Sequence, residues 1–276
     1  MVDIADRQEK AAAAQEAALA ERKPLPRWMI TLTSIAAVLI LWEIFGRRIN
    51  PVFGSYPSAI AVAFWELAVS GQLWSALYES LRPFLLGYAL AIVIGVPLGL
   101  LIGRYRVARD LLLPACEVLR PIPAIAWVPM SIMLWPNNEA SIVFITFIGA
   151  FFPILLNTIH GVTALDSILL RAAHCLGANE AKLFWNVILP GALPQIFTGL
   201  AVGMGVAWVS LIAAEMISGQ FGVGYFTWEA YSLVSYAEIA LGMITIGVLG
   251  LLCSGAIRLA GHLAMPWLAY SAAGRR

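Results

Sequence analysis

Charge is what this sequence has least of. Lys, Arg, Asp and Glu make up 12% of the 276 residues, against 61% hydrophobic side chains. Ordinary soluble domains carry about 25% charged residues. So few charges cannot clothe a water-soluble globule of this size, whereas a lipid-facing surface can do without them. Cysteine is also rare: Cys116, Cys175 and Cys253 are odd in number and lack metal-ligand spacing. They read as small apolar residues, which argues against a disulfide scaffold or a zinc site. No G-x-x-x-x-G-K-[ST] loop is present to cradle nucleotide phosphates, and neither H-E-x-x-H nor G-x-S-x-G occurs. His160, His174 and His262 are scattered over span ends and a loop, as interfacial polar residues are. The net charge of +1, with no basic stripe, gives no footing for nucleic acid. No catalytic constellation or metal site is expected.

What is abundant is long apolar runs. A spanning helix needs about 20 such residues. The first candidate runs from Trp28 to Phe45 and ends at Arg47 and Arg48. A stretch starting at Pro57 and Ser58, with Phe64, Trp65 and Leu67 on one face, reads as an interfacial helix, because Glu66 and Gly71 interrupt it. The second span covers about Phe84 to Gly103. The third, from about Leu111 to Trp135, contains Pro114, Pro121, Pro123 and Pro129 and cannot be one straight helix. Broken backbone at membrane depth survives only where it is buried in protein or lines a watery cavity. The fourth, fifth and sixth spans run from about Ser141 to Ile159, Gly191 to Ile217 and Ile239 to Leu259. The reading is an all-α polytopic membrane protein with about six spans.

Lys and Arg counts give the orientation. With six spans both termini share one side. That side receives Arg7, Lys10, Arg22, Lys23 and Arg27, then Arg104, Arg106 and Arg109, then Arg171 and Lys182, and finally Arg258, Arg275 and Arg276. The opposite loops hold chiefly Arg47 and Arg48. Both termini and the Gly161–Pro190 loop are therefore expected in the cytoplasm. The mixed-charge N-terminus, with no cleavage site after the first apolar run, reads as a tail and not a secretory signal. The expected organisation is a cytoplasmic tail over 1–27, a membrane domain over 28–265 with a cytoplasmic loop at 163–190, and a second tail over 266–276.

That loop has its own pattern. Two short helical stretches flank Gly177, which can take the left-handed conformation that ends a helix. Ala172, Ala173 and Ala178 leave room for another protein to approach. Leu183, Phe184, Trp185 and Val187 supply apolar area, and Leu189-Pro190 is expected to stop the second helix. Small residues four apart, Gly95, Gly99 and Gly103 on the second span and Gly199 and Gly203 on the fifth, let backbones approach within the subunit or across a dimer. Charges within spans are costly and default to function or partnering. Glu117 and Arg120, three apart, could pair on a local helix; Glu215 sits near the outer end of the fifth span. With Trp127 and Trp208, these are the candidates for lining a path.

Four segments in order carry a resemblance. They are Ala172-Ala173 with Leu176-Gly177-Ala178 and Val187-Ile188-Leu189-Pro190; Leu119 to Pro129 (L-R-P-I-P-A-I-A-W-V-P); Phe151 to Thr158 (F-F-P-I-L-L-N-T); and Thr198-Gly199-Leu200 with Ala213-Ala214-Glu215. From about Tyr56 to Arg258 the chain resembles permeases of binding-protein-dependent ABC importers, in the nitrate/sulfonate/taurine/bicarbonate branch. The resemblance implies a MetI-like fold in a bacterial inner membrane. It also implies two ATPase subunits carrying ATP and Mg, a periplasmic substrate-binding protein and a second permease copy. The solute would be a small anion or zwitterion. The first segment is similar to that family's EAA loop, so Arg171, Ala172, Ala173, Gly177, Ala178, Asn179, Glu180, Leu189 and Pro190 would couple to the ATPase. Departures are Arg171, where a Glu is usual, and Ala201, where an Arg commonly follows Thr-Gly-Leu. An Arg expected near the start of the second span appears as Arg82, followed by Pro83. An ion-coupled secondary carrier is the rival class; it would need no docking loop.

Overall fold

A computed structural model describes residues 27–49 and 56–267, so the two expected tails lie almost wholly outside the described residues. The chain divides into two compact units between Ser58 and Ala59. The first unit contains helix α1 (Arg27–Ile49), which has no acidic or basic residue from Trp28 to Trp42. Glu43 pairs with Arg47 at 2.6 Å and accepts from the Ser58 N–H (3.0 Å) and hydroxyl (2.8 Å).

The second unit is built on three long helices: α3 (Gln72–Arg104), α6 (Asn138–Thr163) and α9 (Leu189–Ser218). Helix α6 lies between the other two, parallel to α3 and antiparallel to α9. On α3, small residues fall every fourth position from Gly87 to Gly103 and so share one face. A Cβ placed on Gly87 would stand 2.8 Å from Thr146 Cβ, and one on Gly99 2.6 Å from Thr158 Cβ; at Gly103 it would stand 2.7 Å from Val162 Cβ. Across the other seam, Gly199 meets Asn157 and Gly203 meets Ile154. Both glycine series thus pack inside the subunit, which answers a question that the spacing leaves open. In lipid such close approach replaces the missing hydrophobic drive. Thr146 and Thr158 donate back to Ile142 O (2.8 Å) and Ile154 O (2.7 Å), so their hydroxyls are satisfied and their methyls face the glycines. Phe84 stacks on Trp208 at 4.4 Å between ring centroids, and the Tyr88 hydroxyl donates to Leu200 O at 2.8 Å.

Around this core lie α2 (Pro57–Ser70), the broken span described below, α7 (Ser167–Cys175), α8 (Glu180–Leu183), α10 (Val223–Ser232) and α11 (Tyr236–Ala264). Five helices are long and apolar enough to cross a membrane, or six if the bent pair counts as one span. The outward faces carry Val209, Leu251 and Leu263, apolar side chains that water would reject and lipid accepts. The protein is a multi-pass, all-helical membrane protein.

Two boundaries differ from the sequence reading. Helix α3 begins at Gln72 and not near Phe84, because Glu79, Arg82 and Pro83 break the apolar run without breaking the helix. Arg82 is held by Glu139 at 3.3 Å. Second, Leu189-Pro190 does not stop the helix it follows. Residues Phe184–Ile188 open into a π turn, with Leu189 N bonding to Phe184 O, and Pro190 falls in the first turn of α9. A proline ring clashes with the carbonyl four residues back in a straight α-helix. The wider turn just before it relieves that crowding, so Glu180–Ser218 forms one helical run.

Candidate functional site: a turn at one end and a cavity at mid-depth

The loop between α6 and α9 folds as a helical hairpin. Asp166 starts α7 by accepting from Ile168 N at 2.8 Å, and Asn179 starts α8 by accepting from Lys182 N at 2.9 Å. Between them Gly177 has φ +80°. Its N–H bonds to His174 O (3.0 Å), and the Ala178 N–H bonds to Ala173 O (3.0 Å). This double closure is a Schellman motif, which satisfies carbonyls at a helix end and needs a left-handed residue at the turn. Leu176, at the tip, is 89% exposed. Arg171, Ala172, Gly177, Asn179 and Glu180 are exposed too, with Ala173 and Ala178 half-buried. Arg171 reaches back to Ser167, donating to its carbonyl O at 3.3 Å and its Oγ at 3.4 Å. Glu180 pairs with Arg104 at 2.8 Å, tying the hairpin to the end of α3. Leu183 and Ile188 are buried against the core, while Leu189 and Pro190 are half-buried where α9 begins. The exposed turn is thus the tip of a structure anchored to two spanning helices.

The proline-rich span is broken as its composition requires. Helix α4 (Arg106–Leu119) ends at Arg120, a 3-10 turn follows over Ala124–Trp127, and α5 (Val128–Leu134) leaves at 83°. A buried hydroxyl pair, Ser131–Ser141 at 2.6 Å, pins α5 to α6. The break faces a cavity of about 480 Å³. Arg120, Pro123 and Ala124 form one wall, Phe152, Pro153 and Asn157 of α6 a second, and Val202 and Val206 of α9 a third. These α6 and α9 positions fall near the middle of their helices, so the cavity sits at mid-depth of the bundle.

The five path candidates separate. Arg120 lines the cavity. Glu117 is exposed and forms no ion pair with Arg120 among the described residues. The backbone stays helical through Arg120, whose N–H bonds to Cys116 O at 2.9 Å, yet the two side chains do not meet. Trp127 is half-buried and packs against the core, its indole N–H shielded from solvent without an acceptor among the described residues. Trp208 is buried in the Phe84 stack and is not among the residues lining this cavity.

Glu215 is also fully buried, away from the cavity. Its Oε2 accepts from Gly224 N at 2.8 Å; Ser80 Oγ accepts from Val223 N at 2.8 Å, and Glu79 Oε2 from Gly222 N at 3.4 Å. Three side chains from α3 and α9 thus take successive N–H groups at the start of α10, where helices leave donors unsatisfied. Glu215 holds the α10 end in place. Glu215→Ala should destabilise the chain by about 1–3 kcal/mol, the cost of stranding buried hydrogen-bonding groups. Glu215→Gln, which keeps an acceptor, should lose less; thermal unfolding in detergent orders the three proteins. Equal melting of Glu215→Ala and the parent would refute this capping role.

Among the described residues no group of three or more His, Cys, Asp or Glu is placed to hold a metal ion. The family model described as "binding-protein-dependent transport system inner membrane component" matches residues 95–268. The chain is 33% identical to the nitrate import permease protein NrtB of Synechocystis sp., over 87% of this chain and 90% of the relative. It is 30% identical to the taurine transport system permease protein TauC of Escherichia coli, over 89% and 92%. Against the bicarbonate transport system permease protein CmpB of Synechococcus elongatus identity is 33%, over 84% and 87%. With its all-helical spans, broken helix and exposed hairpin, the chain belongs to the binding-protein-dependent ABC importer permeases, in the branch that includes these three relatives.

Proposed function

We propose that this permease carries a small anion or zwitterion through a bacterial inner membrane, driven by ATP hydrolysed on a separate chain. The observation that carries the reading is the Gly177 hairpin running without a stop into α9. The sequence contains no nucleotide-binding loop, so energy must enter by contact. An exposed tip joined to a spanning helix is a lever for that contact. Two ATPase subunits, holding ATP and Mg, would move a pair of hairpins, one on each of two permease copies. A periplasmic binding protein would deliver the solute to the opposite face. Arg171, Ala172, Ala173, Ala178, Asn179 and Glu180 would form the docking surface, with Leu189 and Pro190 at the joint. The branch relatives named for nitrate, taurine and bicarbonate support a small charged solute.

Uptake into vesicles carrying the permease, its ATPase and its binding protein tests this. Accumulation should require ATP and survive collapse of ion gradients. Accumulation that follows an ion gradient without ATP would establish the secondary carrier instead.

Orientation follows from the Lys and Arg bias, which puts both termini and the Gly177 hairpin in the cytoplasm. A membrane-impermeant thiol reagent added from the periplasmic side should label Gln220→Cys and spare Asn179→Cys. The reverse pattern would invert the topology.

A further inference from the structure

We propose that Arg120 is a solute-binding residue: it holds the negatively charged group of the passing solute in the mid-depth cavity. This rests on the importer reading and extends it to a site. An arginine at that depth normally pairs with a carboxylate or reaches an interface. Arg120 forms no ion pair or side-chain hydrogen bond among the described residues; it is exposed and lines the cavity near the centre of the α6 and α9 walls. Its backbone belongs to a break with prolines at positions 121 and 123. Irregular backbone does not face lipid, so this turn must be covered by protein or meet water. The turn is exposed over residues 120–123, on the side of the cavity.

The other walls fit a compact anion with little or no organic body. Asn157 gives its side-chain N–H to Pro153 O at 2.8 Å, which fixes the amide in place. That leaves the second N–H of the same nitrogen for a ligand. Phe152, Val202 and Val206 offer only apolar surface, suited to a short hydrocarbon segment and hostile to a second charge. A guanidinium presents paired donors that match the oxygens of a carboxylate, sulfonate or nitrate group. Arg120 is the one cation among the described residues that line the cavity.

The site can be tested in vesicles containing the full complex, with uptake of nitrate, taurine and bicarbonate measured for the parent protein and for Arg120→Gln and Arg120→Lys. For whichever anion the parent accumulates with ATP, Arg120→Gln should lower uptake about tenfold or more, the scale of one charge-assisted hydrogen bond. Arg120→Lys should recover a substantial part. The amount of assembled complex, read by co-purification of the ATPase, should be the same for all three. A second readout needs no uptake: Arg120→Cys, in a background lacking the native cysteines, should react with an anionic methanethiosulfonate reagent and be protected by the transported anion. Undiminished uptake by Arg120→Gln would overturn the site while leaving the importer intact, as would loss of assembly in parallel with uptake. A parent complex that accumulates none of the three anions with ATP would remove the importer reading for this solute class, and the site with it.

Discussion

Gly177→Asp is expected to abolish ATP-driven uptake while leaving the permease inserted and folded. Within the chain the substitution meets no obstacle, since a Cβ on Gly177 has no atom within 4 Å. The intrinsic penalty is the left-handed backbone, φ +80°, which costs a side-chain-bearing residue about 1 kcal/mol or somewhat more. A membrane bundle held by the α3–α6–α9 seams can absorb that. The docked state cannot absorb what comes with it. The tip is where Ala172, Ala173 and Ala178 keep the surface small, and Asp adds both bulk and charge at the proposed contact with the ATPase. The expected result is assembled permease in wild-type amount, weakened co-purification of the ATPase, and no stimulation of ATP hydrolysis by loaded binding protein. Gly177→Ala, with the same backbone penalty and less bulk, should fall between. Wild-type coupling by Gly177→Asp in reconstituted vesicles would detach this turn from energy transfer.

Gly99→Leu should have the opposite profile, with no folded permease to assay. Here the backbone is ordinary helix and the problem is space. A Cβ on Gly99 would stand 2.6 Å from Thr158 Cβ and 2.9 Å from the Leu155 carbonyl oxygen, closer than van der Waals contact allows. The carbonyl is part of α6 and cannot rotate aside. Helix α3 would have to separate from α6 along a face that also carries Gly87, Gly95 and Gly103. Overpacking typically costs 1–3 kcal/mol, and the backbone contact here places Gly99→Leu at about the top of that range or beyond. Detergent-extracted protein measured by size-exclusion chromatography should show loss of the monodisperse species. Gly250→Ala, on α11 where a Cβ meets nothing within 4 Å, is the matched control and should elute as the parent does. Normal assembly of Gly99→Leu would mean that the α3–α6 seam is not where the fold is held.

The spans could be read from the sequence because hydropathy is a property of each segment by itself. So could the Gly177 turn, since a glycine between two short amphipathic stretches has few other uses. What could not be read depends on partners distant in the chain. Glu215 stood out because a charge in a span is conspicuous, whether it serves packing or a path. Its partner, the Gly224 N–H, lies across a loop, and Ser80 of α3 takes the neighbouring Val223 N–H. Arg120 and Glu117 looked like a pair because three-residue spacing suits a helix; the backbone is helical there, but Arg120 lines the cavity and Glu117 is exposed without pairing to it among the described residues. Pro190 looked like a stop because a proline within a helix loses a donor and crowds the carbonyl four residues back; the π turn that accommodates it has no distinct residue pattern. The glycine stripes were plain in sequence, but only the packing of α6 between α3 and α9 showed which neighbours they serve.

Energy from a separate ATPase is proposed to enter through the Gly177 turn. A photo-crosslinking residue at Leu176, the exposed tip of the hairpin, probes that contact in the assembled complex. The expected result is a crosslink to the ATPase chain whose yield changes when ATP is added, and none from the same probe at Gln220. An assembled, transport-active complex in which Leu176 never reaches the ATPase, with or without ATP, would contradict it.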